Sequence, residues 1–199
     1  IAPQAIALVY LTPAEYATFA FVFVVFGLGL SSCNSAVVEV WLRAGGGGRS
    51  EFRDVLFWFN LGLAIMSIPA MFIGSSSVFA ILLGAVGVWA GGQRLGGRAA
   101  DLVEEETTRV WLPDAFIGVV TVAVWGIASS LLPSLEALML AWSSALFGAV
   151  VIWYPTVPGS VRESYRWLRD RRKSVRALWL ESAMLDVGVA APALVLVNF

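Results

Sequence analysis

The chain has 199 residues, of which 59% are hydrophobic and 14% are charged, and its formal net charge is -1. A soluble domain of this length needs more charge to cover its surface, so the composition is typical of an integral membrane protein. The near-zero net charge argues against a general nucleic-acid binder. Histidine is absent, which removes the usual ligand of haem and catalytic zinc and the commonest general base. We therefore expect no metal and no cofactor.

The first predicted membrane span begins at the sequence TPAE. Thr12 suits the N-cap, Pro13 the first helical position, and Glu15 completes a capping box. The span covers residues 13–42. Residues 1–11 are too short to cross a bilayer alone, and a seventh, N-terminal helix is left open because the chain begins without methionine.

Five further apolar runs are predicted to be membrane spans. The third span of the chain is the shortest of the six. Crossing about 30 Å of hydrocarbon takes about 20 apolar residues in a helix. A GSSS turn at 74–77 joins the second and third spans, Pro113 precedes the fourth span, and Pro133 marks the turn before the fifth span. The sequence thus predicts an all-α, polytopic bundle of six transmembrane helices, with the remaining spans at 55–73, 77–92, 114–132, 135–154 and 177–199.

All the cations lie in segments that follow odd-numbered spans. These are Arg43, Arg49 and Arg53; Arg94, Arg98 and Arg109; and Arg162, Arg166, Arg169, Arg171, Arg172, Lys173 and Arg176. With six spans, these segments share one side of the membrane. The positive-inside rule then predicts that loops 43–54, 93–113 and 156–176 are cytoplasmic and that both ends of the chain face outward.

Small residues recur at the spacing of helix contacts. Gly84, Gly87 and Gly91 lie on the third span and Gly148 on the fifth, where they let helix backbones approach closely in lipid. We expect contacts within the bundle more than an oligomer seam. A homo-oligomer or a larger membrane complex is left open.

Asp186 is the strongest candidate for a functional residue inside the membrane. It lies nine residues into the last span, about 14 Å from the inner end, and a carboxylate at that depth usually has a role or a partner. Ser182 precedes it by one turn, and Asn34, Asn60 and Thr121 reach comparable depth on other spans. If these faces converge, they form a polar pathway for an ion or solute. The alternative is that they only form hydrogen bonds between helices.

Two charged patterns favour ordinary ion pairs. Glu39 precedes Arg43 by four residues, the favourable order for a pair on one helix. The acidic run DLVEEE at 101–106 lacks the spacing of a calcium loop and is predicted to pair with nearby arginine.

The basic segment 156–176 has the pattern of an interfacial helix. Five of its seven cations fall at spacings of 4, 3, 4 and 3 and form one stripe, consisting of Arg162, Arg166, Arg169, Lys173 and Arg176. An apolar stripe of Val161, Tyr165, Leu168 and Val175 lies beside it. This pattern favours contact with anionic lipid head groups, and a solvated loop is the alternative.

These features favour a small transporter or channel that moves an ion, proton or polar solute past Asp186. The alternative is a non-catalytic membrane subunit or assembly protein, since few chemical groups converge. An enzyme acting on lipid at the cationic side ranks last, because no nucleophile–base pair or metal motif is present. The lipid bilayer is the expected partner, and nucleic acid is not.

Overall fold

The computed structural model describes residues 2–104, 107–155 and 158–196, with side chains for all of these except 107–109 and 185–196. Its regular elements are helices. They are α1 (Ala2–Tyr10), α2 (Pro13–Cys33), a π-helical turn (Asn34–Val38), α3 (Glu39–Arg43), α4 (Arg49–Gly74), α5 (Val78–Val103), α6 (Thr107–Ala128), α7 (Ser134–Trp153), α8 (Val161–Asp170) and α9 (Arg172–Leu196).

Within the described residues, five helical segments are long and apolar enough to cross a membrane. They are Pro13–Arg43, Arg49–Gly74, Val78–Val103, Val110–Ala128 and Ser134–Trp153. Length and composition thus make this an all-helical chain with the character of a multi-pass membrane protein.

The predicted start of the first span is confirmed. The Glu15 carboxylate accepts a hydrogen bond from the Thr12 backbone N–H at 2.9 Å, and the Thr12 hydroxyl accepts one from the Glu15 N–H at 3.3 Å. The prediction of one regular helix to residue 42 is incomplete, because the π-helical turn interrupts it. Ser35 donates its hydroxyl proton to the Ser31 carbonyl at 2.9 Å within this region, and π-helical turns are often found at functional positions.

Helices α4, α5 and α6 extend beyond their predicted bounds. Helix α5 continues to Val103 rather than ending near 92, so the first half of the predicted loop 93–113 is helical. Helix α4 begins at Arg49 rather than 55, and α6 begins at Thr107 with Pro113 inside it. Hydropathy marks where the chain leaves the apolar layer, whereas helical hydrogen bonds continue past that level.

Helix α5 lies at the centre of the bundle and packs on α2, α4 and α7. A Cβ atom at Gly91 would come within 2.5 Å of the Phe26 ring on α2, and one at Gly84 within 2.9 Å of Val22. Gly87 faces Trp142 on α7, and Gly148 of α7 faces the ring of Phe116 on α6. The four predicted packing glycines therefore lie at helix contacts within this chain.

The end of the bundle at which α5 and α7 finish and α4 and α6 begin is called here the cationic end. Helix α6 packs chiefly on α7, α8 runs along α4, and α9 packs on the π-helical turn and α2. Trp58 on α4 donates its indole N–H to the Gly159 carbonyl at 3.0 Å, which holds the segment before α8 against α4. The start of α8 is therefore held beside α4 at the cationic end.

Candidate functional site

The serines of α2 and α9 bring together two of the predicted polar segments. The Ser31 and Ser182 hydroxyl oxygens are 2.6 Å apart, and Trp179 donates its indole N–H to the Ser32 hydroxyl at 3.3 Å. Asp186 is one turn beyond Ser182 along α9, and its side chain lies outside the described residues. The structure therefore gives its position along the helix only.

Asn34 faces the acidic residue at the start of α3. Its amide donates to the Glu39 carboxylate at 2.9 Å, and Glu39 in turn pairs with Arg43 at 3.6 Å. The predicted Glu39–Arg43 pair is confirmed. Asn34 thus belongs to a polar group at the cationic end.

Asn60 lies at a closely packed contact between α4 and α5. It is fully buried, and neither atom of its amide makes a hydrogen bond of regular geometry in the described part of the chain. A Cβ atom at Gly92 would come within 2.2 Å of the Asn60 Oδ1, so only glycine leaves room for this amide. The Cys33 thiol lies beside the Asn60 amide and contacts the Gly92 carbonyl at 3.8 Å.

Thr121 is also buried without a hydrogen-bond partner among the described residues, but it lies on α6. The predicted polar residues are therefore distributed over several helix contacts, with Ser182 against α2 and Asn60 against α5. Helical periodicity identifies the buried face of each span but not which helix covers it.

A cavity at the cationic end was not predicted from the sequence. It has a volume of about 380 Å³ and lies between the ends of α4, α5 and α7, and it is called here the arginine cavity. Its walls include Arg49, Arg53, Leu56, Gln93, Gly97 and Tyr154. Among the described residues that line the cavity, the two arginines are the only ones with a formal charge at neutral pH, so the charged groups in its wall are cationic.

The two arginines differ in their partners. Arg49 pairs with Asp101 at 3.1 Å and also with Glu104, which confirms that the acidic run pairs with arginine. Asp101 is 1% exposed and Arg49 is 36% exposed. Arg53 has no ion-pair partner within the described ranges, so its positive charge is available in the cavity wall.

Tyr154 closes the cavity on the side of α7. Its burial, together with the negative charge of Asp101, raises the pKa of its hydroxyl to about 12. The hydroxyl group therefore stays protonated throughout the physiological range. A Cβ atom at Gly97 would come within 2.2 Å of its ring, so glycine there allows the ring to pack on α5.

Gln93 connects the arginine cavity to the interior of the bundle. It is 1% exposed, and its Nε2 donates to the Leu56 carbonyl on α4 at 2.9 Å. This bond fixes the orientation of the amide, because the Nε2 must face the carbonyl. The Oε1 then remains without a partner in the described structure.

A second ion-pair group lies nearby at the cationic end. Asp114 on α6 pairs with Arg94 and, at 3.5 Å, with Arg98. These contacts join α5 to α6 and lie outside the cavity walls. Among the described side chains, no three His, Cys, Asp or Glu residues are grouped as metal ligands would be.

The described residues form a helical bundle with the length and composition of a multi-pass membrane protein and a polar cavity at its cationic end. Comparisons with protein-family models, with curated proteins and with solved structures found no match.

Proposed function

We propose that the chain is a membrane transporter or channel for a small ion or polar solute, and that the arginine cavity is its mouth. One observation carries the proposal: polar side chains continue from the cavity into the apolar part of the bundle, and among the described residues the Gln93 Oε1 and both Asn60 amide atoms lack a hydrogen-bond partner. Gln93 lines the cavity, the next residue, Gly92, packs on the Asn60 amide, and Cys33 lies beside that amide.

The depth of Asn60 makes a purely structural role costly. Asn60 follows Arg49, the first residue of α4, by eleven positions, or about 16 Å along the helix. A buried amide without partners costs about 1–3 kcal/mol, and the penalty grows in hydrocarbon. A hydrated or solute-filled pathway would satisfy the amide during transport.

The proposed topology has six spans, with α9 as the sixth and the cationic end in the cytoplasm. Three antiparallel helix pairs then place every basic segment on one side, as the positive-inside rule requires. Asp186 lies within α9, fourteen positions after its first residue, Arg172. In this topology it lies at membrane depth, where a carboxylate is typical of ion and proton pathways.

Flux into proteoliposomes tests this function. The purified chain is expected to raise the uptake of at least one small ion or solute above that of empty liposomes. Asp186→Asn is expected to lower this flux at least tenfold or to shift its pH dependence, because the variant cannot ionise.

Glu181→Gln is the matched control, because Glu181 is an exposed acid on the same helix. Its flux should equal that of the unchanged chain. Unaltered flux in Asp186→Asn would remove Asp186 from the mechanism. Absence of flux for all the solutes, together with a stoichiometric partner after native purification, would favour the non-catalytic subunit instead.

The proposed lipid contact lies along α8. An apolar groove of about 270 Å³ between α4 and α8 is lined by Trp58, Leu63, Val161, Tyr165 and Leu168, among others. Arg162, Arg166 and Arg169 are exposed on α8, and Lys173 and Arg176 are exposed on α9. Such an arrangement suits an interfacial helix with anionic head groups beside it. Native mass spectrometry in mixed-lipid nanodiscs should show retention of anionic lipid, and equal retention of zwitterionic lipid would contradict this contact.

A further inference from the structure

We infer that the arginine cavity binds a compact oxyanion that carries a hydroxyl group, the chemistry of a glycerol phosphate, either free or as the head group of an anionic phospholipid. The inference deepens the proposed function, because it names the class of solute that binds at the mouth. It rests on the arrangement of Arg53 and Gln93 on opposite helices of the same cavity.

Arg53 supplies the recognition of negative charge. The described residues in the cavity walls include two guanidinium groups and no carboxylate. Arg49 is held by Asp101 and Glu104, whereas Arg53 has no ion-pair partner among the residues described. A guanidinium group binds phosphate or carboxylate through two parallel N–H donors, which makes Arg53 the primary anion contact.

Gln93 supplies the recognition of the hydroxyl group. Its Nε2 donates one of its two N–H groups to the Leu56 carbonyl, which fixes the planar amide and leaves the Oε1 as an acceptor of defined position. An unpartnered oxygen on a side chain that is 1% exposed calls for a donor from a ligand or water. An anion with no donor leaves this oxygen unsatisfied, whereas an anion with a hydroxyl group satisfies it.

The size and position of the cavity also suit a ligand of the glycerol phosphate class. Its volume of about 380 Å³ lies at the lower end of the range for small-molecule pockets, about 300–1,000 Å³. Gly96 and Gly97 lie in its walls, about 27–29 Å along α5 from Val78, which is close to the thickness of the hydrocarbon layer. The cavity therefore lies at the level where lipid phosphates and aqueous solutes both reach it.

Isothermal titration of the full chain in phosphatidylcholine nanodiscs tests the inference. The ligands are glycerol 3-phosphate, methyl phosphate, and short-chain phosphatidylglycerol. Glycerol 3-phosphate or phosphatidylglycerol is expected to bind at least tenfold more tightly than methyl phosphate. Arg53→Gln is expected to weaken binding at least tenfold, and Gln93→Met to remove the preference for the hydroxylated ligand.

Arg43→Gln is the matched control, since Arg43 is exposed at the cationic end and lies outside both the cavity walls and the groove along α8. An equal loss of binding in Arg43→Gln and Arg53→Gln would overturn the site, as would no binding of any ligand. Equal affinity for methyl phosphate would overturn the role of the hydroxyl group. If Gln93→Met does not fold, Arg53→Gln still tests anion binding in the cavity. Arg53 is partly exposed, so its substitution should not prevent folding.

A free solute and a lipid head group are distinguished by which of the ligands bind. Binding of free glycerol 3-phosphate assigns the site to a solute, and binding of phosphatidylglycerol alone assigns it to a lipid head group. Binding without flux contradicts the transport proposal only. Flux without binding of any of these phosphates contradicts this inference only.

Discussion

Arg49→Met is expected to lower the free energy of unfolding by about 2 kcal/mol, because it leaves the Asp101 carboxylate buried without its cation. Removing one partner of a fully buried pair costs about 3–5 kcal/mol, and partial exposure of Arg49 reduces that cost. Arg49 joins α4 to α5 beside the arginine cavity. Denaturation in mixed micelles measures the change.

Arg43→Met is the control for Arg49→Met. Arg43 is 67% exposed, and its one ion-pair partner among the described side chains is Glu39 on its own helix, so its loss should change stability by less than about 0.5 kcal/mol. The double variant Arg49→Met with Asp101→Asn should recover most of the loss, because asparagine is uncharged and still accepts a hydrogen bond. Equal effects of Arg49→Met and Arg43→Met would contradict the buried pair.

Asn60→Leu is expected to preserve or raise stability by about 1 kcal/mol and to lower flux at least tenfold. Leucine has a similar size and removes two buried groups that have no hydrogen-bond partner within the described structure. It also replaces the polar group that lies between the arginine cavity and Cys33 with an apolar one. Thermal unfolding and proteoliposome flux, measured on the same preparation, test both parts.

Ser67→Ala is the matched control for Asn60→Leu. Ser67 is buried on the same helix, but its hydroxyl already bonds to the Ala64 carbonyl at 2.7 Å. Its flux should equal that of the unchanged chain. Normal flux in Asn60→Leu would show that the amide only packs between helices and that Asn60 does not line the proposed pathway.

Local signals in the sequence were sufficient for much of the fold. The capping box at Thr12 and Glu15, the turn between Gly74 and Val78, and the turn before Ser134 are each encoded within a few residues. Hydrophobic runs then locate five of the six predicted spans among the helices described. Short-range chemistry and apolar length determine these features, so one sequence reveals them.

The arginine cavity depends on contacts between distant residues. Arg49 meets Asp101 and Gln93 meets Leu56 across different helices, and no local pattern encodes which helix lies beside which. Gln93 also fell in a segment predicted as loop, because arginines lower the hydropathy there while the helix continues. The π-helical turn at Asn34–Val38 likewise has no short-range signature comparable to a capping box.

Cys33 offers the most direct test of a polar pathway beneath the arginine cavity. It is the only cysteine of the chain and is fully buried beside Asn60, so the unchanged protein already contains a single reporter. Methanethiosulfonate reagents modify the ionised thiol and therefore require water at that depth. The account predicts labelling of Cys33 in folded protein in proteoliposomes from the cationic side, slowed at least tenfold by Asn60→Leu. Complete protection in the folded protein, with full labelling after unfolding, would contradict it.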